Sequence, residues 1–336
     1  MSVLVCPDKF RGTLSAAEAA QAIAAGLHEA GIAGTVELPL ADGGEGTLDV
    51  LLAARGGEVH EAQVTGPDGG TVIARYGLLA DGMAVVEMAQ ASGLALVAGA
   101  NNPLTATTYG TGELIALAER AGASAVIVGV GGSATVDGGR GALDALGWRR
   151  PRIPVVVACD VSTTFVDAAR VFGPQKGAGP EEVTVLTHRL RLLAAELTKR
   201  TGVDVSEVRG AGAAGGLAGG LAALGATLRP GFDVVADSVG FHRQLDAATL
   251  VVTGEGRLDR TSLSGKVVGE VLRAAAYRRI PTKVVAGEVE PGVLALLPGD
   301  VEAASLIELA GSVAEARSQA AELVSKATAL LVRRSE

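Results

Sequence analysis

Along this chain, short runs of aliphatic residues alternate with segments whose apolar positions recur every three to four residues. The first pattern predicts buried strands and the second amphipathic helices, so their alternation predicts βαβ units around mainly parallel sheets. "VLVCPD", "TVELPLAD", "MAVVEMA", "SAVIVGV", "IPVVVACD", "ATLVVTGEG" and "PTKVVAGEV" read as strands. Helix signals lie between them. Ser15 with Glu18 forms a capping box, Ala19, Ile23 and Leu27 line one face, and Gly31 supplies the stop. "GEGTLDVLLAARGG" predicts a helix ending at Gly56, and another runs from about Thr111 to Arg120, closed by Gly122. A longer helix from Pro180 places Val183, Leu186, Leu190, Leu193 and Leu197 on one face. Its first turn holds Glu181 and Glu182 and its last Lys199 and Arg200, as the helix dipole favours. A final helix is expected to begin at Ser312, with Glu315 completing a second capping box.

Composition sharpens this picture. The 336 residues suffice for two domains of roughly 150 residues each. Aromatic residues make up only 3% against 47 glycines, which suits short aliphatic strands and closely packed helices. No Pro-rich or Ser-rich linker divides the chain, so a second domain, residues 65–244, is expected as an insertion into one made of residues 1–64 and 245–336. A net charge of −8, no long basic run and few rings for stacking argue against nucleic acid as a partner. The N-terminal apolar run of four residues is too short for a signal peptide, which predicts a cytoplasmic protein. "GAGAAGGLAGGLAALGATL", residues 210–228, is uncharged and close to the ~20 residues of a membrane span. Its Ala and Gly contribute little transfer energy, so a buried helix approached closely by another backbone is expected instead. Cys6 and Cys159 each end an apolar run and are expected to be reduced.

In open parallel sheets ligands bind beyond the carboxyl ends of the strands, and the residues that follow the aliphatic runs here are acidic: Asp8, Asp42, Asp160, and Glu255 with Asp259. One such carboxylate is ordinary capping or turn chemistry. Acids after four strands would repel one another unless a cation or a proton sits among them, and Mg2+ is the natural candidate. "ADGGEGT", "YGTGEL", "GVGGSATVDGG" and "TGEGRLD" add glycine-rich segments whose N–H groups suit an anion. Lys266, in the first turn of an expected helix, opposes the dipole unless an anion is bound there, and Lys176 projects from the stiff turn "FGPQKGAG". No P-loop is present, since Arg260 stands where its first glycine belongs and Val267 where its Ser or Thr belongs. "GVGGSA" does fit a dinucleotide fingerprint, and Arg149 with Arg150 would suit NADP, so an NADP-dependent oxidoreductase on a small hydroxy acid is the alternative. His28, His60, His188 and His242 fall outside every glycine-rich segment, so the proton acceptor is expected to be a carboxylate.

These segments together resemble the bacterial type II glycerate kinases. The resemblance rests on "PDKFRGTLSAAEAAQAI", "PLADGGEGT", "VEMAQASGLALV", "NPLTATTYGTGELI", "GVGGSATVDGGRGALDALG", "VFGPQKGA", "GAGAAGGLAGGL" and "LVVTGEGRLDRTSLSGK", which span nearly the whole chain in order. Lys9 and Arg11 depart from the family's usual Ser and Lys, and the segment between Trp148 and Pro154 is shorter than in typical relatives. The resemblance implies ATP-dependent phosphorylation of D-glycerate by two α/β domains, one Rossmann- or flavodoxin-like and one inserted, with a cleft between them. On that basis ATP is expected against Asp8, Lys9, Gly43, Gly44, Gly129, Gly131, Gly132, Ser133, Gly254 and Gly256. The glycine loop after "SAVIVGV" would hold either nucleotide phosphates or the glycerate carboxylate. Asp42, Glu255 and Asp259 are expected to hold Mg2+, Asp137 or Asp160 to accept the hydroxyl proton, and Lys176 and Lys266 to contact phosphate or carboxylate.

Overall fold

The strands in chain order are β1 (Val3–Val5), β2 (Thr35–Glu37), β3 (Gly57–Thr65), β4 (Thr71–Leu79), β5 (Met83–Glu87), β6 (Ala125–Gly129), β7 (Val155–Ala158), β8 (Thr227–Arg229), β9 (Leu250–Leu258), β10 (Thr282–Val289) and β11 (Glu302–Ser305). They come from a computed structural model that describes residues 2–299 and 301–333. Two sheets result, one ordered β11-β10-β9-β1-β2 and the other β3-β4-β5-β6-β7-β8. The chain divides into two units, one comprising residues up to Asp42 and from Val235 onward, the other Gly43–Val234. The exchange falls at residue 43 rather than at 65 because β3 pairs with β4 along its whole length, from Gly57↔Leu79 to Thr65↔Thr71. That pairing draws the preceding helix, Thr47–Arg55, into the second unit.

The first unit's sheet is parallel throughout. Counted within the unit, its order is 2-1-3-4-5, the flavodoxin-like arrangement, whose order reverses between β1 and β9. Its central strands, β1, β9 and β10, carry buried aliphatic residues on both faces because helices cover both. Val3, Val5, Val252 and Val285 pack with Ile23, Leu27 and Val324 on one side, while Val284 and Ala286 meet Val268 and Leu272 on the other. Helix Ala16–Glu29 starts at the expected capping box, Ser15 Oγ accepting the Glu18 N–H at 3.2 Å and Glu18 Oε2 the Ser15 N–H at 2.8 Å. The expected final helix is instead two. Ser312 caps only Val313–Ser318, and a second helix, Ala320–Arg333, restarts after Gln319.

The second unit's sheet is mixed: β3, β4 and β5 run antiparallel and β5 to β8 parallel. Its core gathers Val126, Val128, Val157 and Phe165 with the predicted face of helix Pro180–Thr201. The glycine-rich stretch near 210–220 is buried against the segment after β6, as expected. A Cβ on Gly220 would lie 2.6 Å from the Gly138 carbonyl oxygen, so only glycine admits the contact. The helix there, Leu217–Ala223, has seven residues, and no helix among the described residues is long and apolar enough to cross a membrane. Cys6 is buried and Cys159 half-buried, and both are free thiols.

Candidate functional site

In the first unit the acids gather where the sheet order reverses. β1 ends at Val5, and the chain then stays beside β9, with the Cys6 N–H donating to Val252 O and the Asp8 N–H to Gly254 O, each at 2.9 Å. This sets Asp8 next to Glu255 on the neighbouring strand. Asp8 is 9% exposed and Glu255 7%. Burial pushes Asp8 up to about 6, with Lys9 pulling back and Asp42 adding to the rise. Burial likewise lifts Glu255 to about 7; Ser262 and Lys266 oppose the shift, whereas Asp8 and Asp259 reinforce it. Glu255 Oε1 is buried without a hydrogen-bond partner. Two repelling acids, one with an orphaned oxygen, are costly unless a cation or a proton joins them.

Two of the expected residues beside this group already have local hydrogen bonds. Asp259 is a helix cap: its Oδ1 accepts the Thr261 hydroxyl at 2.6 Å and the N–H groups of Thr261 at 2.8 Å and Ser262 at 3.1 Å, and these bonds, the hydroxyl's foremost, hold its carboxyl below the usual range. Lys266 sits one residue before helix Val267–Tyr277, and its Nζ donates to Thr261 Oγ1 at 2.7 Å. Gly254 and Gly256 do not line a loop. They lie inside β9, where a Cβ on Gly254 would meet Val285 O at 2.3 Å. Their place beside β10 reflects strand packing.

The raised acids predict a pH dependence of folding. A carboxyl whose folded pKa exceeds its unfolded value holds a proton that the unfolded chain has already lost, so stability falls as pH rises. For Asp8 and Glu255 that window runs from about 4 to about 7. Lys176, drawn down to about 7, acts in the opposite sense at higher pH. Thermal melts in chelator are expected to show a midpoint that declines between pH 5 and 7 in the wild type and less so in Glu255→Gln. Equal slopes would refute the burial account.

In the second unit the segment after β6 is tied from several sides. Asp137 Oδ2 accepts the Thr108 N–H at 2.9 Å, the Thr108 hydroxyl at 2.8 Å and the Gly141 N–H at 3.1 Å, while Oδ1 accepts the Gly139 N–H at 2.9 Å. Burial raises its pKa against these four bonds. Gly129 and Gly131 are packed against the 43–44 segment, where a Cβ would meet Gly43 O at 2.5 Å and Gly44 Cα at 2.8 Å respectively. Gly132 is exposed, with φ +73°. Ser133 and Lys176 are buried together, Lys176 Nζ donating to Ser133 Oγ at 3.1 Å and to Thr135 O at 2.7 Å. Asp160 is exposed and its Oδ1 accepts the Gly231 N–H at 2.7 Å. The expected acids are thus divided between the carboxyl edges of two sheets.

One residue escaped the sequence reading. Glu87 closes β5, and its Oε1 accepts the Leu48 N–H at 2.9 Å, serving helix Thr47–Arg55, whose N-cap, Gly46, has no side chain to offer. Burial raises its pKa. Its signal was present: it is one more acid at the end of an aliphatic run.

A family model described as the glycerate kinase family matches residues 3–151 and 148–336. The chain belongs to the glycerate kinase family. It is 40% identical over 330 residues to the glycerate 2-kinase of Escherichia coli K12, covering 87% of each chain. It is 38% identical to the glycerate kinase of Halalkalibacterium halodurans, covering 97% of this chain and 96% of that one. The crystal structure of "putative glycerate kinase 2" from Salmonella typhimurium LT2 superposes with a TM-score of 0.84 at 35% identity, covering 100% and 99% of the two chains. Membership in a kinase family removes support from the NADP alternative, and the geometry agrees. A dinucleotide fingerprint needs a helix to begin at its glycines, whereas the first helix after β6 starts at Arg140.

Proposed function

We propose that this glycerate kinase transfers the γ-phosphoryl group of ATP to a hydroxyl of D-glycerate with the assistance of Mg2+. The observation that carries the reading is the buried, partnerless Glu255 Oε1 beside Asp8, at the reversal of a flavodoxin-like sheet. Among the described residues no three His, Cys, Asp or Glu side chains form a metal cluster. Mg2+ needs only one or two carboxylates and completes its shell with water and phosphate oxygens. Glu255 and Asp8 supply such a pair, with Asp42 close enough to add its charge. When bound, the ion neutralises charge on the transferring group.

The remaining roles follow from the surroundings of each group. Lys266 and Lys9 supply positive charge beside the acids of the first unit for phosphate oxygens. In the second unit the Gly131 and Gly132 N–H groups have no acceptor among the described residues, so they suit a carboxylate or a phosphate. Asp160 suits the proton acceptor better than Asp137 because it is exposed, whereas Asp137 already accepts four bonds. A reaction that consumes ATP fits a cytoplasmic location.

Phosphorus NMR of the purified protein with D-glycerate and ATP tests the reading. One phosphoglycerate is expected, its formation abolished by chelator and restored by Mg2+, and the phosphorus–proton coupling identifies the C2 or C3 ester. No turnover of D-glycerate in MgATP defeats the proposal.

A further inference from the structure

Lys176 was expected to touch the substrate, yet it lies beneath the loop. It is 4% exposed, its Nζ bonds Thr135 O at 2.7 Å and Ser133 Oγ at 3.1 Å, and the Phe172 ring centroid is 5.8 Å away. Asn101 doubles the tie: its Nδ2 donates to Lys176 O at 2.7 Å and to Ala134 O at 2.9 Å. Three consecutive loop residues, Ser133 to Thr135, are therefore fastened to one short turn, Pro174–Lys176. Immediately before them stand Gly131 and Gly132, whose N–H groups bond to nothing in the described protein.

We propose that Lys176 is a positioning residue that holds the 131–135 loop in its anion-accepting shape through Thr135 O and Ser133 Oγ, without itself touching the substrate. An ammonium grips a carbonyl oxygen more strongly than a neutral amine does, so the hold depends on the charge. Burial pulls the Lys176 pKa down to about 7, and Asp137 pulls it back up. Asp137 is the charged group acting on it; its ammonium otherwise meets Ser133 Oγ, Thr135 O and the Phe172 ring. The loop is therefore expected to loosen as pH rises through neutrality. The kinetic consequence rests on the glycerate kinase reading, but the structural one does not.

Two-dimensional amide NMR on substrate-free protein tests the structural claim. In the wild type, the Gly131, Gly132, Ser133 and Thr135 resonances are expected to shift together between pH 6 and 9, with a midpoint near that of Lys176. In Lys176→Met they are expected to start displaced and to ignore pH. Ser133→Ala, which removes one of the two acceptors, is expected to give a smaller displacement of the same sign. Kinetically, Lys176→Met is expected to raise the KM for one anionic substrate at least tenfold while lowering kcat far less. If Lys176→Met does not fold, the wild-type titration decides alone. Wild-type loop resonances that stay put from pH 6 to 9, or a folded Lys176→Met with wild-type loop shifts, overturn the proposal. A wild type whose loop resonances titrate as expected but which fails to phosphorylate D-glycerate instead defeats the assigned reaction and leaves the positioning role standing.

Discussion

Replacing Glu255 with glutamine is expected to lower kcat/KM for D-glycerate about 1000-fold, roughly 4 kcal/mol of transition-state stabilisation, while making the metal-free protein more stable by about 1 kcal/mol. The two signs come from one cause. In the metal-free fold, Glu255 keeps a carboxylate out of water beside Asp8, with Oε1 unpartnered, so removing its charge relieves desolvation and repulsion. On the proposed reading, the same charge is what would hold Mg2+ during the reaction. Lys266 also loses an attractive neighbour, a smaller effect because that lysine is partly exposed. Steady-state kinetics over a range of Mg2+ concentrations, set beside a urea denaturation in chelator, checks both signs. An enzyme that is weakened in both activity and stability would mean that Glu255 is only a structural acid. An enzyme with unchanged Mg2+ dependence would remove it from the metal site.

The fold was legible wherever burial governs sequence. β1, β5, β6, β7, β9 and β10 are aliphatic because helices or neighbouring strands cover them, and the Ser15 capping box marks its helix to the residue. The β3–β4 hairpin was not legible. In "GEVHEAQVT" most residues are exposed, so the apolar signal that marks a buried strand is missing. Its turn, "TGPDGG", carries the one strong cue, closed by the Gly69 N–H donating to Gly66 O at 3.1 Å. β8 and β11, at sheet edges and three and four residues long, are too short to register a period.

Glycine was the least transparent signal in the site. A run such as "TGEGR" suggests a loop, because glycine weakens strands, yet here it lets β9 pass between β10 and the Phe10 segment, a Cβ on Gly256 standing 3.0 Å from Arg11 N. Gly129 and Gly131 likewise serve the close approach of two backbones, which leaves Gly132 as the exposed glycine of that trio. The acids were more legible than their partners. A carboxylate following an aliphatic run identified Asp8 and Glu255, and applied once more it identifies Glu87. Nothing in spacing separates a buried acid with an orphaned oxygen, as Glu255 is, from one committed to neighbouring donors, as Asp259 and Asp137 are.

Asp137→Asn is expected to lower unfolding free energy by about 3 kcal/mol, and Asp137→Ala by more. The asparagine oxygen can replace only one of the two carboxylate oxygens. Placed at Oδ2, it keeps the Thr108 and Gly141 donors but sets its amide against the Gly139 N–H, donor facing donor; placed at Oδ1, it loses three bonds to save one. Either way the surviving bonds lose their charge assistance, and Lys176 loses the carboxylate that helps to keep it protonated. The damage therefore passes to the 131–135 loop, and turnover of D-glycerate is expected to fall together with loop order rather than through the loss of a proton acceptor. Urea denaturation of both variants, with the pH dependence of kcat for Asp137→Asn, separates the alternatives. A general base would leave stability unchanged and remove the acidic limb of the kcat profile. A clamp on the loop lowers the urea midpoint and leaves that limb in place, because the proton goes to another carboxylate.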